Sequence, residues 1–136
     1  MDDPIGATLG PLDFIYAPSR DVAADLARLV AAFGAEVGFA IDDGGTRVAM
    51  LRLGRGRPAL LLTDHLPDDR PVFLYRVADA AATAGRLAEL GWTPERSIEL
   101  PMGAASTFAA PGGLRLAVYE LSRPGVVESM AGRRDF

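Results

Sequence analysis

Residues 12–34, LDFIYAPSRDVAADLARLVAAFG, have an echo at residues 72–92, VFLYRVADAAATAGRLAELGW. Sliding one copy onto the other by 58 positions brings Asp21 onto Asp79, Ala23 onto Ala81, Ala24 onto Ala82, Arg28 onto Arg86 and Leu29 onto Leu87. Each copy has a short apolar run, a turn of small residues, an aspartate, an amphipathic stretch and a closing glycine. A strand-then-helix unit written twice within 136 residues predicts a fold built from two equivalent modules rather than one continuous motif.

The local patterns extend each copy. In the first, 12–17 reads as a strand, with Tyr and Ile favouring the extended state. Pro18 breaks it, and Ser19 stands where it can accept from the first free helical N–H groups. Val22, Leu26, Leu29, Val30 and Phe33 then share one helical stripe, which Gly34 ends. Strands at 36–41 and 47–53 flank the turn DDGG, and a third strand spans 58–63. The second copy gives a strand at 72–77, a helix capped by Asp79 and closed by Gly91, weaker strands at 94–100 and 106–110, and a last strand at 114–121. The order is β-α-β-β-β, twice. We therefore expect a first module at 11–63, a polar linker DHLPDDR at 64–70, a second module at 71–121 and a tail at 122–136 with a helical turn or two after Pro124. Residues 1–10 read as an irregular lead-in.

Composition narrows the chemistry. A chain this long can bury roughly two-thirds of its unfolded surface, so it needs neither disulfide nor metal to fold. There is no cysteine, which suits a reducing, cytoplasmic setting. No apolar run approaches the roughly 20 residues of a membrane span, and MDDPIG has no apolar core of a signal peptide. Net charge is -4 with arginines scattered singly, which argues against a nucleic-acid partner. All fourteen basic residues are arginine, a bias of GC-rich bacterial genomes, and His65 is the single histidine. Schiff-base lysine and cysteine-nucleophile mechanisms are thereby excluded, as is a metal site needing two histidines from one chain.

The run FAAPGGLRLAVYEL at 108–121 resembles the F-x-D-P-x-G turn and final strand of the vicinal oxygen chelate superfamily, which includes glyoxalase I, bleomycin-resistance proteins and extradiol dioxygenases. SRDV after the first strand and VFLYRVAD before the second helix resemble its module starts. The resemblance covers about residues 11–121. It implies an α+β fold in which two βαβββ modules form an incompletely closed eight-stranded cup with the helices outside. It also places the family's metal-ligand positions at Phe14, Leu61, Val72 and Ala117, none of which can ligate a divalent cation. The resemblance thus implies a metal-free cup without cofactor, and a homodimer.

Strand alternation adds Leu12, Tyr16, Leu74, Arg76, Arg115 and Tyr119 to the face bearing Phe14, Val72 and Ala117. The opposite faces (Ile15 and Ala17; Phe73, Tyr75 and Val77; Leu116 and Val118) are apolar enough to lie beneath the helices. An aromatic, apolar lining with two arginines suits a flat small molecule bearing a carboxylate or ketone. Plainer readings stand beside it. Arg76 and Arg115 can serve as partners of Asp or Glu, and Tyr16 and Tyr119 as packing residues. Asp64 and His65 read as solvated linker, Glu120 points to the helix side, and Trp92 packs after the second helix. The expected function is metal-free small-molecule binding of the bleomycin-resistance kind. The alternative is a metal-dependent glyoxalase or dioxygenase drawing atypical ligands from Asp13, Asp64, His65 or Glu120. Metal-free catalysis with Tyr16 or Tyr119 as the acid is also chemically allowed.

Overall fold

The computed structural model describes residues 9–66 and 70–136; the lead-in at 1–8 and linker residues 67–69 lie outside the described residues. Residues 9 and 10 already belong to the first strand, which is longer than its apolar core suggests. The elements are β1 (Leu9–Pro18), α1 (Val22–Phe33), β2 (Glu36–Asp43), β3 (Thr46–Arg52), β4 (Ala59–Thr63), β5 (Val72–Val77), α2 (Ala80–Glu89), β6 (Thr93–Leu100), β7 (Gly103–Ala109), β8 (Arg115–Tyr119) and a short α3 (Val126–Met130). The fold is α+β, with β-α-β-β-β written twice.

Chain contacts divide it into two compact units. The first module holds Phe14–Pro71 together with Glu128–Phe136. The second holds Val72–Val127 together with the start of β1 up to Asp13. The chain thus crosses from one unit to the other inside its first strand, and the tail returns to the first module.

In the first module the strand order is β2-β3-β4-β1. Strands β1 and β4 run parallel with Tyr16 opposite Leu61, and the other neighbours are antiparallel. The second module repeats this as β6-β7-β8-β5, with β5 parallel to β8 and Leu74 opposite Ala117. Parallel pairing of first and last strands is what a helical crossover after the first strand produces.

Each helix covers one face of its own sheet. Val22 and Leu26 of α1 pack with Ala40, Ala49, Leu51 and Leu62, and Ala17, Leu29 and Phe136 join this cluster. Leu87 of α2 packs with Val77, Phe108, Leu116 and Val118, joined by Phe73, Tyr75 and Trp92. Burying a Leu or Val side chain contributes roughly 1.5–3 kcal/mol, so each cluster contributes several such increments to its module. The helix starts follow one design: Asp21 accepts from Ala24 N at 3.1 Å and Asp79 from Ala82 N at 3.0 Å. Ser19, expected to cap α1, does not. The helix starts at Val22, too far along for Ser19 to reach its free N–H groups, and its hydroxyl donates to Asp25 instead (2.6 Å). Gly34 ends α1 at φ 63, a left-handed conformation that a side chain disfavours.

Candidate functional site

The sheet face turned away from α2 carries Val72, Leu74 and Arg76 on β5, and Arg115, Ala117 and Tyr119 on β8. Their strand neighbours Phe73, Tyr75, Val77, Leu116 and Val118 lie in the α2 cluster, which fixes the alternation. Val72, Leu74, Ala117 and Tyr119 are at most 2% exposed, so little water reaches this face. Two arginines stand on it with their charges met. Arg115 Nε donates to Glu95 Oε1 at 2.9 Å and is buried. Arg76 Nε lies 3.3 Å from Asp13 Oδ2, and the same oxygen accepts from the Tyr119 hydroxyl at 2.6 Å. Asp13 is buried (8% exposed), whereas the Arg76 side chain is 32% exposed. One ion pair does not exhaust the five N–H donors of a guanidinium, and Arg76 is open enough to offer others to an arriving anion.

The equivalent face of the first module carries Phe14, Tyr16 and Leu61, with Phe39, Met50 and Thr63 beside them along the register. All six are buried. Its polar group is a tyrosine–histidine–threonine chain. The Tyr16 hydroxyl meets His65 Nε2 at 2.5 Å, and His65 Nδ1 meets Thr63 Oγ1 at 2.6 Å. A neutral imidazole offers one donor and one acceptor, so Tyr16 donating to Nε2 and Nδ1–H donating to Thr63 satisfies all three. Burial pushes the Tyr16 phenol up to about 12, with Asp64 adding to the rise against a hydrogen bond from Thr63. Burial also holds the His65 imidazole below its ordinary value, against the opposing charge of Asp64.

Residues 64 and 65 are exposed, as a solvated linker is, and they are also tied to the sheet. His65 is tied to β1 and β4, and Asp64 accepts from the Arg47 amide at 3.1 Å, because the chain leaves β4 along its own sheet. Glu120, one of the alternative metal ligands, receives the Ala80 N–H at 2.7 Å at the start of α2. Asp13 was expected only as an alternative metal ligand and not as the counter-ion of Arg76, and neither Thr63 nor the bonded role of His65 was anticipated. On β1, Asp13 lies where the chain passes into the second module, so no local pattern pointed to Arg76 or Tyr119. The only warning was a charged residue inside an apolar run.

No family model and no curated protein matches this chain. Solved structures do. A methylmalonyl-CoA epimerase from Mycobacterium tuberculosis superposes with a TM-score of 0.61 at 18% identity, covering 85% of this chain and 88% of that one. A methylmalonyl-CoA epimerase in complex with methylmalonyl-CoA and NH4+ gives 0.66 at 17% identity, covering 85% and 97%. A hypothetical protein from Bacillus halodurans gives 0.65 at 14%, covering 81% and 93%. The chain has the vicinal oxygen chelate fold.

Vicinal oxygen chelate enzymes owe that name to a cation, and this chain's residues do not fit one. Phe14, Leu61, Val72 and Ala117, the positions that the sequence resemblance sets against the ligands, have no side-chain donor atom. Each of the carboxylates and the imidazole named as substitutes is engaged by another partner described above. Among the described residues, no three His, Asp or Glu side chains gather as a cation site would require. Nor is any described helix long and apolar enough to cross a membrane.

Proposed function

We propose that this vicinal oxygen chelate protein is a metal-free binder of the bleomycin-resistance type, holding a hydrophobic or aromatic small molecule that bears a carboxylate or carbonyl. The observation that carries this is Arg76: a partly exposed guanidinium, steadied by Asp13 and Tyr119, at the margin of a buried apolar face. A cation in that setting orients an anionic or carbonyl group. A ligand that goes on to reach Leu74, Val72 and Ala117, or Phe14, Tyr16 and Leu61 in the first module, has to part side chains that are at most 9% exposed. Arg115 plays a lesser part, since Glu95 already occupies it. A homodimer and a cytoplasmic setting belong to this reading.

Two measurements test it. Benzoate and methylmalonyl-CoA, the second suggested by the fold's solved neighbours, are titrated calorimetrically into the wild-type protein and Arg76→Met. Loss of a charge-assisted contact weakens binding by about tenfold or more; equal affinity removes Arg76 from the site. Metal content is measured on protein purified without chelator. Stoichiometric zinc, nickel, manganese or iron would overturn the metal-free reading in favour of a metal-dependent glyoxalase or dioxygenase.

A further inference from the structure

The two modules treat the helix side of their outer strands differently. In the first, that side is filled. Ala40 of β2 pairs with Ala49 of β3, Val37 with Leu51, and Leu26 of α1 packs against them. The tail completes the layer. Gly132 N donates to Gly38 O (2.7 Å), Ala40 N to Arg133 O (2.8 Å) and Asp135 N to Ala40 O (2.7 Å), so residues 132–135 pair with the free edge of β2. The Phe136 ring then joins the α1 cluster, with the Arg47 guanidinium 4.9 Å from its centroid.

The second module repeats the frame with smaller and more polar residues. Ser97 of β6 pairs with Ser106 of β7 where Ala40 pairs with Ala49, and Pro94 with Phe108 where Val37 pairs with Leu51. Five residues after its N-cap, α2 has Ala84 where α1 has Leu26, and Gly85 follows. Among the described residues, no tail arrives here. The outcome is a cavity of about 450 Å³ between α2 and β6–β7, lined by Ala84, Gly85, Pro94, Ser97, Ser106 and Phe108 among others. A Cβ added at Gly85 would meet nothing within 4 Å. That volume falls in the range of small-molecule pockets.

We infer that this groove is a second small-molecule site, separate from the Arg76 face, and that it takes a fused-ring aromatic bearing a hydroxyl or carbonyl group. Pro94 and the edge of Phe108 line it with apolar surface, and the two serine hydroxyls, with Glu95 and Arg96 beside them, can donate to or accept from a polar substituent. A strand-forming peptide is the weaker fit. The β2 edge offers the tail a regular ladder, whereas the β6 edge begins with Pro94, which has no N–H, and its register shifts between Pro94 and Arg96.

The test is a titration of 2-naphthol followed by two-dimensional amide NMR on the full chain. Saturable shifts centred on Gly85, Ser97, Ser106 and Phe108 are expected. Ala84→Leu, which restores the side chain of the first module, abolishes them; Gly85→Leu, pointing into open space, does so should the first variant fold poorly. Ser97→Ala with Ser106→Ala weakens binding about fivefold, as loss of ordinary hydrogen bonds does. Arg76→Met leaves the affinity unchanged, which separates this groove from the site proposed above. Shifts elsewhere, none up to millimolar concentration, or abolition by Arg76→Met would overturn the inference. So would tighter binding at these residues by a GRRDF peptide, which would assign the groove to the tail of a second copy.

Discussion

The first module closes on itself by packing and the second by charge. Away from the helix, the first carries Phe14, Tyr16, Phe39, Met50 and Leu61, with a single neutral Tyr16–His65–Thr63 chain. The second carries two arginines, each bound to a carboxylate: Arg76 to Asp13 and Arg115 to Glu95. On the helix side the contrast persists, since Phe136 fills in one module what remains open in the other. The same backbone plan can thus be satisfied by two different side-chain solutions. The plan depends on period and capping; the chemistry depends on a few positions that the plan leaves free.

That contrast can be broken from either side. Asp13→Ala strips Arg76 of its counter-ion and the Tyr119 hydroxyl of its acceptor, on a buried face. The expected cost is about 2–3 kcal/mol by denaturant unfolding, less than for a fully buried pair because Arg76 is partly exposed. A cost below experimental error would mean that the second module does not rely on charge. Phe136→Ala removes the partly buried ring that covers the first module. It should cost about 1–2 kcal/mol by the same assay, with faster amide exchange at Ala40 and Asp42, whose N–H groups the tail holds. Gly85→Ala should do the reverse to the second module. It adds helix propensity without a clash, raising stability by about 0.5–1 kcal/mol.

The smallest effect is one of pH. The folded His65 imidazole titrates below its ordinary 6.5 because burial disfavours its charged form. Its neutral form is therefore favoured in the folded protein. That contribution is present above the unfolded value and is lost as pH falls through the lowered folded value. The melting temperature should drop by a degree or so between pH 7.5 and 5.5, and His65→Asn should flatten that slope. An unchanged slope would mean that the Tyr16–His65–Thr63 chain contributes nothing to the first module.

Much of the fold was legible in the sequence because period and punctuation were consistent. Val72–Val77 and its cap at Asp79 stand where their residues predict, and Gly34 ends α1. Boundaries slipped where turn chemistry outweighed periodicity. Strand β7 begins at Gly103 rather than 106, since Leu100 and Gly103 close a tight hairpin with β6. The candidate site was less legible. Alternation grouped the nine residues Phe14, Tyr16, Leu61, Val72, Leu74, Arg76, Arg115, Ala117 and Tyr119 by face, but could not say what neutralises the arginines. Asp13 reaches Tyr119 across 106 positions, and Glu95 reaches Arg115 across a sheet, contacts that leave no local pattern. His65 was set aside because its neighbours are polar, although hydrogen bonds rather than neighbours decide a histidine's role.

The division of the chain has a bearing on synthesis at the ribosome. Asp13 is made before both of its partners, Arg76 and Tyr119. The β2 edge is made early and receives its cover only when residues 132–136 emerge. A gene cut between Thr63 and Val72 would therefore put Asp13 on one fragment and Arg76 and Tyr119 on the other, and would part the β2 edge from residues 132–135.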